Sequence, residues 1–243
     1  RYDDDQKRVV YTSLGKLYVK ELPGGKPRRV TSDDKNFELF PSWSADGRTL
    51  AYASWNDDDL GAIRTVGLDG RNGRKLTTKP GHYIEPRFSD NGQQVVYRRI
   101  GSDGLRPQLY TQDRGVYIVA ASGGEPKLVT EEGQTPRFNK AGDRLFLISG
   151  EGQKAALISV NLTGGDRRVH LTSDNATEFV PSPDEKFVAW VERFNSYIAP
   201  LPLTGKPIDV STSVSDFPAK RISRDAGSYM HWSPDSRRVY WSL

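Results

Sequence analysis

Short apolar runs and polar turns alternate along the whole chain. "TLAYAS" (49–54), "VVYR" (95–98), "RLFLIS" (144–149), "FVAWV" (187–191) and "RVYWSL" (238–243) each gather β-branched and aromatic residues in a run of strand length. A short first run and a turn precede each one, as in "PSWS" followed by Asp46-Gly47, so the pattern predicts hairpins. No window of a dozen residues carries a sustained i, i+3, i+4 apolar stripe free of Gly or Pro, and helix therefore has little support.

The hairpin phrase recurs. "PSWSADGRTLAYAS", "PRFSDNGQQVVYR", "PRFNKAGDRLFLIS", "FVPSPDEKFVAWV" and "MHWSPDSRRVYWSL" align on their turns, and "YDDDQKRVVYTS" opens the chain as a worn copy. The equivalent turn residues are Asp5, Asp46, Asn91, Ala141, Asp184 and Asp235, which stand 41, 45, 50, 43 and 51 residues apart. A period in the forties is the mark of stacked supersecondary units. Within residues 41–77 the unit resolves into four strands: "PSWS", "TLAYAS", "AIRTVGL" and "RKLT". Four short antiparallel strands per repeat make a β-propeller blade.

The predicted fold class is therefore all-β, a β-propeller of four-stranded blades forming one domain over residues 1–243. Six blades fit the repeats, and seven remain compatible. The repeats supply a clipped first blade, four complete ones and two strands of an incomplete terminal blade. A closed propeller leaves no open sheet edge. The missing strands would then lie outside residues 1–243, and the expectation is a piece of a longer polypeptide.

If each blade runs outward as strands one to four, the one-to-two and three-to-four turns share one face, and the two-to-three and four-to-one loops share the other. The first set is short and uniform. The second includes "TSDDKNFELF", "TTKPGHYIE" and the long "RRIGSDGLRPQLYTQDRG" of 98–115. Binding groups concentrate on irregular loops held by a rigid scaffold, so this face is where a ligand or partner is expected. It carries Asp33, Asp34, Asp57, Asp58, His82, Tyr83, Glu85, Arg99, Arg106 and Glu178. Of these, Glu85, Glu178, His82, Tyr83, Arg99 and Arg106 are the candidate channel or loop-face binding residues. Glu85 and Glu178 start inner strands and could line a channel mouth, although a solvated or salt-bridged carboxylate is the commoner outcome.

Composition narrows the chemistry. The formal charge of +4 is modest and the Lys and Arg residues are interleaved with Asp and Glu, which argues against nucleic acid as a partner. The absence of Cys removes disulfides, thiolate metal sites and Cys nucleophiles together. No apolar run is long enough for a membrane-spanning helix, so no membrane insertion is expected. The three histidines, His82, His170 and His231, form no zinc-hydrolase motif. Gly-x-Ser-x-Gly and the phosphate-cradling loop do not occur either. Asp57-Asp58-Asp59 lacks the ligand spacing of a calcium loop. No catalytic, cofactor-binding or metal-binding residue is assigned.

The repeats resemble the TolB-type, WD40-like repeats written around Ser-Pro-Asp-Gly. Beyond them, "NATEFVPSPDEKFVAWVERFN" and "RDAGSYMHWSPDS" resemble the amino-terminal propeller of large bacterial amidohydrolase-family proteins. That resemblance implies a non-catalytic propeller that braces or gates a metal-dependent TIM barrel lying outside this sequence. It implies a metal only in that barrel, no cofactor here, and as partner either the catalytic domain or a protein met through the variable-loop face. A periplasmic or secreted location goes with it. The alternative is a free-standing TolB-like protein-binding scaffold of the bacterial envelope.

Overall fold

A computed structural model describes residues 7–101, 113–203, 205–211, 217–224 and 226–242. They form strands joined by turns, and among the described residues no helix occurs. The chain divides into two compact units, residues 1–138 and 139–243.

The first unit holds three antiparallel meanders. β1 (Arg8–Ser13), β2 (Lys16–Glu21) and β3 (Arg28–Arg29) make the first sheet. The second consists of β4 (Phe37–Trp43), β5 (Thr49–Asn56), β6 (Leu60–Gly67) and β7 (Arg74–Lys75). β8 (His82–Phe88), β9 (Gln94–Ile100), β10 (Gly115–Ala120) and β11 (Lys127–Thr130) make the third, and β12 (Gln134–Phe138) lies against β8 and β9. Strand alternation determines the packing. Leu50 and Tyr52 of β5 join Val10, Leu17 and Val19 of the first sheet, while Ala51 and Ala53 join Val95 and Tyr97 of the third.

In the second unit, β13 (Arg144–Glu151), β14 (Lys154–Asn161) and β15 (Arg168–Ser173) form a meander that β19 (Ile208–Asp209) extends in parallel. β16 (Ala176–Pro181), β17 (Phe187–Glu192), β18 (Asn195–Pro200) and β20 (Lys220–Arg221) make the next sheet. Its centre is Trp190, fully buried and stacked on Tyr197 at 5.5 Å. β21 (Ser228–Trp232) and β22 (Val239–Ser242) pair only as a hairpin, with Met230 and Trp232 packed on Val180, Ala189 and Val191.

The expected all-β propeller fold holds, with one correction: the described residues form five blades, not six or seven. The last repeat contributes a two-stranded hairpin, which has too few strands to count as a blade.

The recurring phrase has a hydrogen-bonding cause. Ser44, Ser89, Ser182 and Ser233 directly follow β4, β8, β16 and β21, and each hydroxyl accepts the backbone N–H five residues on, at 2.9–3.0 Å. Each also donates to the turn residue two positions later: Asp46 at 2.6 Å, Asn91 at 2.7 Å, Asp184 at 2.7 Å and Asp235 at 2.5 Å. Asn139 fills the place of the serine, its Oδ1 accepting from Arg144 N at 2.9 Å. Side-chain bonds of this kind set a tight turn before the second strand continues.

Candidate functional site

The predicted site residues fall into two groups. Glu85 lies where β8 bulges between Ile84 and Arg87, with φ of 57°. Its carboxylate accepts the backbone N–H of Thr135 at 3.0 Å and meets the Arg98 guanidinium at 3.3 Å. Glu178, at the bulge of β16, accepts the backbone N–H of Met230 at 3.1 Å. Each carboxylate thus ties its own inner strand to a strand one repeat further on. Glu38 acts similarly: it is wholly buried, and its Oε2 accepts the backbone N–H of Leu17 at 2.8 Å. The sequence analysis left Glu38 inside a loop, although a Glu flanked by Phe37 and Leu39 was the available signal.

Tyr83 and Arg99 come together with groups the sequence did not single out. They line a cleft of about 190 Å³ with Tyr97, Tyr117, Lys79 and Asp113. Tyr97 and Tyr117 are register partners on β9 and β10, and their rings stack at 5.8 Å, while Tyr83 meets Tyr97 edge-on at 5.5 Å. Same-face alternation on neighbouring strands was the signal for this pair. The Arg99 guanidinium lies 5.8 Å from the centre of the Tyr83 ring and bonds Asp113 at 3.1 Å. Lys79 approaches the same carboxylate at 3.5 Å. The Tyr83 hydroxyl donates to the Lys79 carbonyl at 2.8 Å, and that of Tyr117 to the Asp113 carbonyl at 2.7 Å. Burial pushes the phenols of Tyr83, Tyr97 and Tyr117 above their ordinary value, so they stay neutral at physiological pH.

His82 does not line this cleft; it is exposed, its ring lies 5.2 Å from that of Trp55, and partial desolvation lowers its pKa. Arg106 lies outside the described residues. A wider concavity of about 930 Å³ opens among the one-to-two and three-to-four turns of the first unit, lined by Asp46, Arg48, Asp69, Arg74 and Asp90. Among the described residues no three His, Asp or Glu side chains converge as metal ligands. His170, in the second unit, is buried between the Ser159 hydroxyl at 2.8 Å and the Pro202 carbonyl at 3.1 Å, and desolvation lowers its pKa.

Comparison with known proteins places these features in a family context. The family described as TolB beta propeller domain matches residues 1–199. A peptidase described as uncharacterized, YuxL of Bacillus subtilis, is 32% identical over 92 residues, which cover 38% of this chain and 14% of that protein. The Tol-Pal system protein TolB of Desulfosudis oleivorans is 26% identical over 122 residues, covering 49% of this chain and 25% of its own length. The chain thus spans a quarter or less of these relatives. Among solved structures, that of a putative TolB from Agrobacterium tumefaciens superposes with a TM-score of 0.75 at 17% identity, covering 100% of this chain and 89% of that one.

Proposed function

Since the chain belongs to the TolB β-propeller domain family, we propose that it is a non-catalytic propeller module that holds a protein surface through its two-to-three and four-to-one loops. One observation carries this reading: the side chains best suited to acid–base work are engaged in holding the scaffold. Glu38, Glu85 and Glu178 accept backbone N–H groups from other strands, and His170 bridges Ser159 and Pro202. The loop face, in contrast, presents bulky side chains outward, including Leu14 and Phe194.

The held surface is that of a metal-dependent amidohydrolase barrel in the same polypeptide. The support is the resemblance of "NATEFVPSPDEKFVAWVERFN" and "RDAGSYMHWSPDS" to propellers of that family. A periplasmic or secreted location accompanies this reading. A second reading is a free-standing envelope scaffold, for which the support is the match of residues 1–199 to the TolB beta propeller domain family.

Sequencing the gene beyond the Leu243 codon distinguishes the two. A downstream barrel with a His-x-His motif is expected, whereas an immediate stop leaves the free-standing scaffold. The purified chain with added Zn²⁺ or Mn²⁺ should not turn over amide, ester or cyclic-amide substrates. Turnover that follows the protein through purification would overturn the non-catalytic reading.

A further inference from the structure

Two turns on the loop face of the first unit adopt conformations unfavourable to their own residues. In the β1–β2 turn Leu14 and Gly15 have φ of 48° and 72°, and in the β5–β6 turn Leu60 has φ of 59°. Left-handed backbone is strained for a side chain such as Leu and is far easier for Gly, Asn or Asp. The opposite face follows that preference, with Gly47 and Gly92 at φ of 63° and 69°. Burial does not offset the strain, because Leu14 is 95% exposed and Leu60 41%. Backbone strain of this kind points toward function when it is observed directly.

The two leucines belong to a row. The Phe37 ring lies on the β1–β2 turn, where a Cβ on Gly15 would stand 2.3 Å from its Cδ1. Phe37 itself is 55% exposed and pairs across β4–β5 with Trp55. Trp55 lies against Gly61 at the far end of the β5–β6 turn. Scattered exposed apolar residues are ordinary, but a row anchored on two strained turns is not. The charge around it is acidic. Asp57 accepts the Trp55 Nε1–H at 3.0 Å and Asp58 is exposed on the same turn. Of the nearby cations, Lys35 and Arg29 are bonded to Asp59 at 2.7 Å and Asp34 at 2.6 Å, and Lys16 beside the β1–β2 turn donates to the carbonyls of Asp33 and Asn36, each at 2.7 Å.

Resting on the binding-scaffold reading above, we propose that the rim Leu14–Phe37–Trp55–Leu60 docks a polypeptide segment that presents apolar side chains among Lys and Arg. The apolar row anchors the segment, and the aspartates recognise its cations while repelling anionic lipid. In the second unit the β17–β18 turn also has left-handed residues, Arg193 and Phe194 at φ of 47° and 68°, and Phe194 is 80% exposed.

The test uses the whole chain, its Leu14→Asn/Leu60→Asn double variant, and a random-peptide library displayed on phage. Asn suits left-handed backbone, so the variant should melt no lower than the parent, and about 2 °C or more higher if the strain is relieved. Peptides selected on the parent should combine Leu, Ile, Phe or Trp with Lys or Arg. Their Kd should weaken about tenfold or more on the variant and should also weaken with added salt. A variant that melts lower would make the leucines structural and overturn the proposal. So would selected peptides that are acidic, or anionic vesicles that bind the parent and not the variant. Peptides that bind both chains equally would remove this site and leave the scaffold reading intact, whereas a library from which neither chain retains anything would count against both.

Discussion

At the turn position that Gly47, Gly92 and Gly142 hold in three repeats, the next two carry Glu185 and Ser236, also in left-handed conformation at φ of 60° and 58°. Each has a bond that glycine could not make. The Glu185 carboxylate accepts from the Lys140 backbone N–H, and the Ser236 hydroxyl accepts the Asp184 N–H at 3.0 Å. The strain is about 1 kcal/mol, and a hydrogen bond returns a similar amount. Ser236→Gly is therefore expected to stay within about 0.5 kcal/mol of the parent in urea unfolding. Ser236→Ala keeps the strain without the bond, so it should lose about 1 kcal/mol. Equal stability of the two variants would exclude a contribution from the backbone strain, and a Ser236→Ala variant as stable as the parent would exclude one from the Asp184 contact. Turns of the Asp-Gly and Asn-Gly type were legible in the sequence because glycine marks positive φ. Glu185 and Ser236 were not, because their reason for being there lies on a neighbouring strand.

Inner strands share a bulge as well as a turn. Glu85 sits at the bulge of β8, and its carboxylate satisfies Thr135 N–H while pairing with Arg98, each side chain being 19% exposed. Glu85→Gln keeps an acceptor for Thr135 and loses the ion pair, so a loss below about 1 kcal/mol is expected. Glu85→Ala leaves the N–H without its partner, at about 1–3 kcal/mol. Thermal melts of both variants decide the point, since equal losses would place the whole effect in the ion pair. The sequence put Glu85 and Glu178 at the starts of inner strands, whereas they lie within them, Glu85 inside His82–Phe88 and Glu178 inside Ala176–Pro181. It could not show that their oxygens reach the backbone of another repeat, because a bulge is a slip of hydrogen-bond register and has no residue signature. Tyr97 and Tyr117 were hidden for a related reason: their pairing needs the β9–β10 register.

For the molecule as a whole, the titratable groups give a stability profile with two acid steps. Burial lowers the pKa of His170 below its ordinary value of 6.5. The folded state then binds fewer protons than the unfolded chain, so stability is complete above that value and falls as pH drops below it. Bonds from the serine hydroxyls hold the carboxyls of Asp46, Asp184 and Asp235 below their ordinary 3.8. Their contribution is present above 3.8 and is lost as pH falls through the lower folded values. Melting temperature is thus expected to be flat above about pH 7, to decline first near pH 6.5 and to decline again below about pH 4. The pKa of His82 is lowered as well, so His170→Gln should shrink the first step and a double variant with His82→Gln should remove it, while Asp184→Asn should weaken the second. Asn91 already shows that an amide fits this turn, with its Oδ1 taking the Ser89 bond and Gln93 N–H at 3.0 Å. A first step unchanged in His170→Gln would assign it to a group other than His170. The propeller class was readable from the forty-odd-residue period. Its blade number was not, because two β-rich runs signal a hairpin in sequence whether or not two further strands join it.

The inner-strand bulge has a consequence for how this sequence can change. Phe40, Glu85, Thr135 and Tyr229 occupy the same place four residues before the turn serine or asparagine, with φ of 54°, 57°, 49° and 54°. In four repeats an aromatic, an acid or a hydroxyl rides on one backbone geometry, whereas Glu178 at the equivalent place of the other does not adopt it, so the geometry recurs without fixing one residue type. Phe40 and Tyr229, which are exposed, are addresses at which drift or design can rewrite surface chemistry one substitution at a time, whereas Glu85 is held by its bonds to Thr135 and Arg98.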